Sequence, residues 1–287
     1  MASLQSAGAY HGGVAPAISV EEVARQALEI ARDVSVDELD ALAGENPHLR
    51  IDELHAGYGQ MEILHGLSLR VGHKQSLCLI GPNGAGKSTV LHSIFGFTNV
   101  YSGSVSTERD GGRIDVTGLS PSEKLRSGGI AYILQDKSVF PGMTVEENLW
   151  MGGYLMNHPA EAKRAAEKVF DKYPRLAARR RHPAKVLSGG ERRLLEISRA
   201  LVMEPRILLV DEPSIGLEPR FIDAVFDILG DLQHKEGKTI VIVEQNAKKG
   251  LEFADIGYVM VSGRLALAGR ADDLLANPDV SRLFLGG

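Results

Sequence analysis

Three absences narrow the class of protein. The chain has one cysteine, Cys78, so it cannot form an intramolecular disulfide, and we expect this thiol to be a small buried core residue. It has no apolar run near the ~18–20 residues that cross a bilayer. Its net charge of −5 gives no overall basic field to attract nucleic acid. A disulfide scaffold and a membrane-spanning chain are excluded, and nucleic acid is not expected as a partner.

The N-terminus also lacks the basic segment and apolar stretch of a secretory signal peptide. We therefore expect a cytosolic chain that meets a membrane only through a partner. The longest apolar runs, 207–210 and 240–243, have the length of buried strands instead.

Residues 1–46 are predicted to be an N-terminal extension, and residues 47–287 the main domain. The first 17 residues are rich in alanine, glycine and serine, which predicts disorder. Capping boxes at 19–22 and 35–38 predict short amphipathic helices. The extension is either a docking or regulatory element or a tail packed loosely on its own domain, and we favour the tail.

The stretch 81–89 has the strongest chemical signal. It follows an apolar run typical of a buried strand and precedes apolar residues at helical spacing, which is the context of a phosphate-binding loop. Its glycines allow backbone N–H groups to converge, and the helix N-terminus adds partial positive charge. Lys87 is placed to reach the β- and γ-phosphates, and Ser88 to bind Mg²⁺.

Two later segments add polar groups of the same kind. Ser188 can cap a second helix, and Gly189 and Gly190 would let phosphate oxygens approach its N-terminus. Asp211 and Glu212 follow the apolar run 207–210, and alternation along a strand predicts that their side chains point differently. One acid can bind Mg²⁺ and the other can orient or deprotonate water.

The remaining patterns describe the surroundings of this site. Alternation over 49–71 predicts antiparallel strands, and Tyr58 between two glycines is either a purine-stacking ring, which we favour, or an ordinary turn aromatic. Residues 136–186 are predicted to be an inserted helical subdomain. The basic stretch 179–182 could suggest nucleic acid or acidic lipid, but one short run in an acidic chain is typical of a solvated helix end.

Over about 49–287 the combined motifs resemble the ATP-binding-cassette ATPases. The resemblance implies an α/β fold: a P-loop NTPase nucleotide-binding domain with a RecA-like core, an antiparallel β subdomain and an inserted α-helical subdomain. It implies ATP hydrolysis with Mg²⁺, a Walker B strand at 207–211 and a D-loop at 214–219. The ATP-binding residues implied are Tyr58, Gly81, Pro82, Asn83, Gly84, Ala85, Gly86, Lys87, Ser88, Thr89 and Gln135.

Further roles come with the same resemblance. Ser188, Gly189 and Gly190 form the signature, which contacts the nucleotide of a partner cassette. Ser88, Gln135 and Asp211 are the implied metal-binding residues, and Glu212 and Gln245 the catalytic ones. Most cassettes have histidine where this chain has Gln245, and glutamine can donate a hydrogen bond to the γ-phosphate but cannot carry a proton. The base role therefore shifts to Glu212. Glutamate at 191, where many cassettes have glutamine, is expected to matter little.

The detail is most similar to the ATP-binding subunits of branched-chain amino-acid importers, through residues 139–152, 211–217, 243–247 and the tail 274–287. This implies a second ATPase subunit, identical or related, two transmembrane permease subunits, an indirect solute-binding protein and a peripheral place on the cytoplasmic face of the inner membrane. Urea or short-amide importers share much of the pattern. The segment 187–193 also resembles lipopolysaccharide-export ATPases, but Gln245 argues against them. A third alternative is a soluble cassette that acts in translation or repair. Such proteins usually have two cassettes in one chain or a long coiled-coil insert, and this sequence shows neither.

Overall fold

The structure is a computed structural model, and it describes residues 34–135 and 138–285 together with residues 22, 25 and 26. The disorder predicted for residues 1–17 and most of the helix predicted after the first capping box lie outside the described residues. Among the helices that are described, none is both long and apolar enough to cross a membrane.

Four strands form an antiparallel sheet in the order β2-β1-β4-β5. Leu49 pairs with Val71, and Tyr58 pairs with Met61 at the hairpin end, so the antiparallel strands predicted over 49–71 are confirmed. The strands are β1 (Leu49–Tyr58), β2 (Met61–Val71), β4 (Asn99–Arg109) and β5 (Gly112–Asp115).

Six strands form a second sheet in the order β10-β9-β3-β8-β7-β6. Only β10 runs antiparallel to its neighbour, β9. Every residue of β3, β7 and β8 is buried, which explains their continuous apolar runs, because helices or the other sheet cover both faces. The strands are β3 (Ser76–Ile80), β6 (Ile130–Ile133), β7 (Ile207–Asp211), β8 (Thr239–Val243), β9 (Ile256–Val261) and β10 (Arg264–Arg270).

Helices cover this second sheet on both faces. One helix, α2, packs between the two sheets through Val90, Leu91 and Ile94. Others cover the opposite face, with Ile197, Leu229 and Leu251 among the buried contacts. The helices outside the helical subdomain are α2 (Lys87–Phe95), α3 (Pro121–Arg126), α7 (Gly189–Leu201), α8 (Pro219–His234), α9 (Ala247–Phe253), α10 (Ala271–Ala276) and α11 (Pro278–Phe284).

The segment predicted to be an inserted helical subdomain is helical in its described part. It contains α4 (Val145–Gly152), α5 (Pro159–Lys172), α6 (Pro174–Ala177) and a 3₁₀ turn (Ala184–Val186). Its apolar core includes Leu149 and Phe170 and continues into α7 through Leu195. This shared core joins the subdomain to the helix that begins at the signature.

The basic stretch 179–182 lies beside acidic side chains of this subdomain. Arg180 forms ion pairs with Glu146 and Glu167, and Arg179 lies 3.4 Å from Glu191. The two carboxylates at Arg180 hold its pKa above the usual range. These contacts fit the interpretation of the stretch as a solvated helix end.

The first described helix, α1 (Val36–Ala43), begins at the predicted capping box, which is confirmed by reciprocal hydrogen bonds between Ser35 and Glu38. Leu39 is fully buried in the core between the two sheets. Asp40 accepts a hydrogen bond of 2.9 Å from the buried side chain of Arg70. The expectation of a loosely packed tail is therefore wrong for α1, because its apolar face completes the core ahead of residue 47.

Candidate nucleotide site

The loop 81–86 joins β3 to α2 and has backbone angles that favour glycine. Gly81 has φ +148°, and a Cβ there would lie 2.2 Å from the carbonyl oxygen of Met260. Gly86 has φ +96° and precedes the first turn of α2. The loop can keep this shape only with small residues at these points. Its backbone N–H groups and the end of α2 suit an anion.

Lys87 is buried at the start of α2, and its Nζ donates hydrogen bonds to the carbonyl oxygens of Gly81 (2.8 Å) and Pro82 (3.0 Å). Burial lowers the pKa of Lys87, and the nearby carboxylates of Glu212 and Asp211 oppose that change. The ammonium group is thus held inside the loop, where the phosphates of a nucleotide would lie.

Ser88 and Asp211 form the part of the site that best fits Mg²⁺. The Ser88 hydroxyl donates to Asp211 Oδ1 at 3.1 Å, and the Tyr132 hydroxyl donates to Asp211 Oδ2 at 2.7 Å. Mg²⁺ prefers oxygen ligands and usually takes one or two carboxylates, with phosphate and water completing the shell. Among the described residues, no three His, Cys, Asp or Glu side chains are grouped for a metal.

Glu212 follows the end of β7 and has different hydrogen-bond partners from Asp211. Its Oε2 accepts a hydrogen bond of 2.8 Å from Gln135 Nε2, and its backbone has the uncommon φ of +42°. Burial, reinforced by the charge of Asp211, raises the pKa of Glu212, which suits a proton acceptor. Gln135 therefore contacts the candidate base, and its role as a metal ligand stays a prediction.

An open cavity of about 490 Å³ collects most of the predicted nucleotide-binding residues. Tyr58 lies at this cavity with 43% of its surface exposed, and its hydroxyl shares a 2.5 Å hydrogen bond with His92 Nδ1. Gly81, Pro82, Ala85 and Gln135 do not line the cavity. The lining residues are Tyr58, Ile63, Asn83, Gly84, Gly86, Lys87, Ser88, Thr89, Glu212 and Gln245.

The signature lies at a different place, the N-terminus of α7. The Ser188 hydroxyl accepts a hydrogen bond from the Glu191 N–H at 3.3 Å, and Glu191 Oε2 accepts one from the Ser188 N–H at 2.9 Å. Ser188 and Gly189 are exposed, and neither lines the cavity at the phosphate loop. Glu191 thus completes a capping box that orients the signature helix. Glutamine can complete the same box, so the expectation that glutamate here matters little stays a prediction.

Comparison with known proteins identifies the family. The family model of ABC transporters matches residues 64–215. The chain is 39% identical to the high-affinity branched-chain amino acid transport ATP-binding protein BraG of Pseudomonas aeruginosa, over 83% of this chain and all of that protein. It is also 39% identical to the probable branched-chain amino acid transport ATP-binding protein LivF of Archaeoglobus fulgidus, over 83% of this chain and 98% of that protein.

The chain belongs to the ABC transporter ATP-binding proteins. A solved nucleotide-free ATP-binding cassette from an ABC transporter superimposes with a TM-score of 0.72 at 29% identity, covering 84% of this chain and all of that one. Another solved cassette, in its ADP conformation, gives 0.72 at 30% identity, over 84% of this chain and 99% of that one. The predicted family, fold class and ATPase activity are confirmed. The cassette binds nucleotide.

Three side chains of the cassette site were not singled out from the sequence. His92 follows Ser88 by one helical turn, so helical spacing alone could have placed it beside the loop. Tyr132 lies on β6, and its contact with Asp211 has no sequence signal. Arg193, which is buried, donates to the carbonyl oxygens of Leu134 at 2.9 Å and Asp211 at 3.3 Å, and so ties the ends of β6 and β7 together.

Proposed function

We propose that this cassette is the ATP-hydrolysing subunit of an importer of branched-chain amino acids. The observation that carries hydrolysis is the convergence of Lys87, Ser88, Asp211 and Glu212 at the carboxyl ends of β3 and β7. The substrate class rests on the two relatives at 39% identity, which match almost their whole length.

Each residue of the site has a distinct role in this proposal. The adenine stacks on Tyr58, and the phosphates lie against the loop amides and Lys87. Ser88 and Asp211 would hold Mg²⁺, which would neutralise phosphate charge when bound. Glu212 accepts the proton of the attacking water, helped by its raised pKa. Gln245 donates a hydrogen bond to the γ-phosphate and, as an amide, leaves the proton transfer to Glu212.

A second cassette, either a copy or a related subunit, completes the site. Its signature, equivalent to Ser188, Gly189 and Gly190, faces the γ-phosphate with the N-terminus of α7. The helical subdomain contacts one of two permease subunits, and Gln135 links that contact to Glu212 through the 2.8 Å hydrogen bond. A solute-binding protein delivers the amino acid, and the cassette lies on the cytoplasmic face of the membrane.

The variant Glu212→Gln tests the proposed mechanism. It should keep ATP affinity, because the loop and Lys87 are intact, and lose about 10²–10⁴-fold in turnover through loss of the base. Binding is measured with a fluorescent ATP analogue, and phosphate release in the complex with its permeases. A variant that hydrolyses ATP at the wild-type rate would remove Glu212 from the mechanism.

The substrate class has its own test. ATPase activity of the complex reconstituted with its binding protein should rise with leucine, isoleucine or valine. Stimulation by urea or short amides alone would favour the related importers instead. Lipopolysaccharide export is a weaker candidate, since the lipopolysaccharide export ATP-binding protein LptB of Haemophilus influenzae is 28% identical over 83% of this chain and 97% of that protein.

A further inference from the structure

A buried carboxylate lies between two loops of the site and has no role in the mechanism above. Glu244 directly follows β8, and only 2% of its surface is exposed. One carboxylate oxygen accepts the N–H of Ser214 and the other accepts the N–H of Asn246, each at 3.0 Å. Within the described part of the chain, no lysine or arginine forms an ion pair with it. Its charge is therefore stabilised by two backbone amides, one from each loop.

The two loops carry the candidate catalytic side chains. The first leaves β7 at Glu212, whose N–H donates to Val243 O at 2.8 Å, and it turns back at Ser214. The second contains Gln245, directly between Glu244 and Asn246. Asn246 also caps α9 by accepting the N–H of Lys249 at 3.1 Å. The Glu244 side chain thus links the backbone at Ser214, two residues after Glu212, to the backbone at Asn246, directly after Gln245.

Packing leaves the Glu244 side chain little freedom to move. Gly250 of α9 faces it, and a Cβ at Gly250 would lie 3.0 Å from Glu244 Cβ and 2.6 Å from Cys78 Sγ. The close approach of α9 therefore holds the carboxylate over the two N–H groups.

We propose that Glu244 is a positioning residue that sets the distance between Gln245 and Glu212 by bridging their two loops. This inference rests on the roles proposed for those two residues. A carboxylate suits the bridge because it offers two acceptor oxygens and no donor. Glutamine keeps the shape but turns an N–H₂ group toward one of the two amides, which leaves a buried donor unpaired. The affected loop then loses its fixed position, and turnover depends on that position more strongly than nucleotide binding does.

A double-mutant cycle on the complex with its permeases tests the bridge. Glu244→Gln should lower kcat by about 10–100-fold at saturating Mg·ATP, with KM changed by no more than about twofold. Gln245→Ala should also lower kcat. Because Glu244 positions Gln245 relative to Glu212, the loss in the double variant should be smaller than the product of the two single losses. Glu244→Asp, which keeps two acceptor oxygens on a shorter stem, should recover part of the lost kcat.

A control lies at the opposite end of the same sheet. Asp255, which is more exposed than Glu244, accepts the backbone N–H of Ser76 at 2.8 Å at the start of β3, and the same carboxylate oxygen accepts from the Ser76 hydroxyl and from Gln233 Nε2. Asp255→Asn removes the same kind of carboxylate–amide contact and should leave kcat within about twofold of wild type. Thermal unfolding of each variant gives the folded fraction, by which every rate is corrected.

Several results would contradict the role proposed for Glu244. Losses that multiply in the double variant, or a Glu244→Gln enzyme with wild-type kcat, overturn the bridge. An Asp variant no faster than the Gln variant also overturns it. A wild-type rate in Gln245→Ala overturns the role proposed for Gln245 itself, and the inference with it, which separates that failure from a failure of Glu244 alone.

Discussion

At the residue scale, the two adjacent acids of the site show how environment assigns a role. Asp211 lies between the hydroxyls of Ser88 and Tyr132, whereas Glu212 faces Gln135. Their partners differ, but strand alternation is not the cause, because Glu212 lies just beyond β7 with a φ of +42°. The contact with Tyr132 was not predictable, because a tyrosine on a short strand has no pattern that reveals its partner across the sheet.

His48 makes the stability of the fold depend on pH. Its ring is 4% exposed, stacks on His73 at 4.1 Å between ring centres and lies 2.7 Å from Thr239 Oγ1. Burial lowers the pKa of His48 from 6.5 to about 4. Between pH 6.5 and pH 4 the unfolded chain binds a proton at His48 that the folded chain does not. The stability that neutral His48 gives the fold is therefore fully present above pH 6.5 and is lost as the pH falls toward 4.

At about 1.4 kcal/mol per pKa unit, His48 should lower the free energy of unfolding by at most about 3.5 kcal/mol over the full window. Urea unfolding at pH 7.5 and at pH 5 measures it. In His48→Phe, which keeps an aromatic ring on His73 but cannot titrate, the free energy of unfolding should change less between the two values. An equal change in both proteins would show that another group is responsible.

At the scale of helices and strands, capping residues indicate where a helix begins, but they do not indicate which elements the helix packs against. Ser35, Thr144 and Ser188 each begin a helix with a capping box. The two residues of a capping box are three positions apart, so the sequence shows them directly. The position of α1 depends instead on Leu39 and on Arg70, which is 30 residues away from its partner Asp40 in the chain. Such contacts leave no periodic signal, and so the packing of α1 was missed.

Two glycines inside helices should respond oppositely to alanine. A Cβ at Gly250 in α9 would meet Cys78 Sγ at 2.6 Å, so Gly250→Ala should cost about 1–3 kcal/mol by overpacking. A Cβ at Gly230 in α8 meets nothing within 4 Å, so Gly230→Ala should stabilise by about 0.5–1 kcal/mol through helix propensity. Denaturant unfolding of both variants measures the difference. Equal effects would contradict the close packing of α9.

At the scale of the whole molecule, two helix ends suited to phosphate do not meet within one chain. The N-terminus of α2 faces the cavity beside Tyr58, while the N-terminus of α7 presents Ser188 and Gly189 to solvent. The motif order in the sequence was enough to predict both ends. Their separation within one chain follows from the placement of α7 on the far face of the sheet, and it fits a site shared between two cassettes.

Gly189→Asp separates nucleotide binding from turnover. A Cβ at Gly189 meets only Leu217 at 3.5 Å, an ordinary contact, and aspartate is favoured in the first turn of a helix, so the fold should be kept. The added negative charge should repel the phosphates held by a partner cassette. We expect ATP affinity of the isolated chain to stay within about twofold and turnover of the complex to fall at least about 10²-fold.

Lys87→Ala is the matched control for this prediction, since Lys87 belongs to the chain's own cavity. It should weaken ATP binding and turnover together. If Gly189→Asp weakened ATP binding in the isolated chain as much as Lys87→Ala does, the signature would act within one chain, contrary to the proposal. Fluorescence titration of each isolated variant with an ATP analogue provides the measurement.

The ion pair between Arg70 and Asp40 connects α1 to the antiparallel sheet. Arg70 is fully buried, and the remaining hydrogen bonds of its guanidinium group go to Asp52 at 2.5 Å and to two backbone carbonyl oxygens. A fragment that began at β1 would lack Asp40, which pairs with the buried guanidinium of Arg70. It would also expose the apolar side chains that Leu39 covers. We therefore expect a fragment that begins at β1 to be less stable than one that begins before α1, and denaturant unfolding of the two fragments would measure the difference.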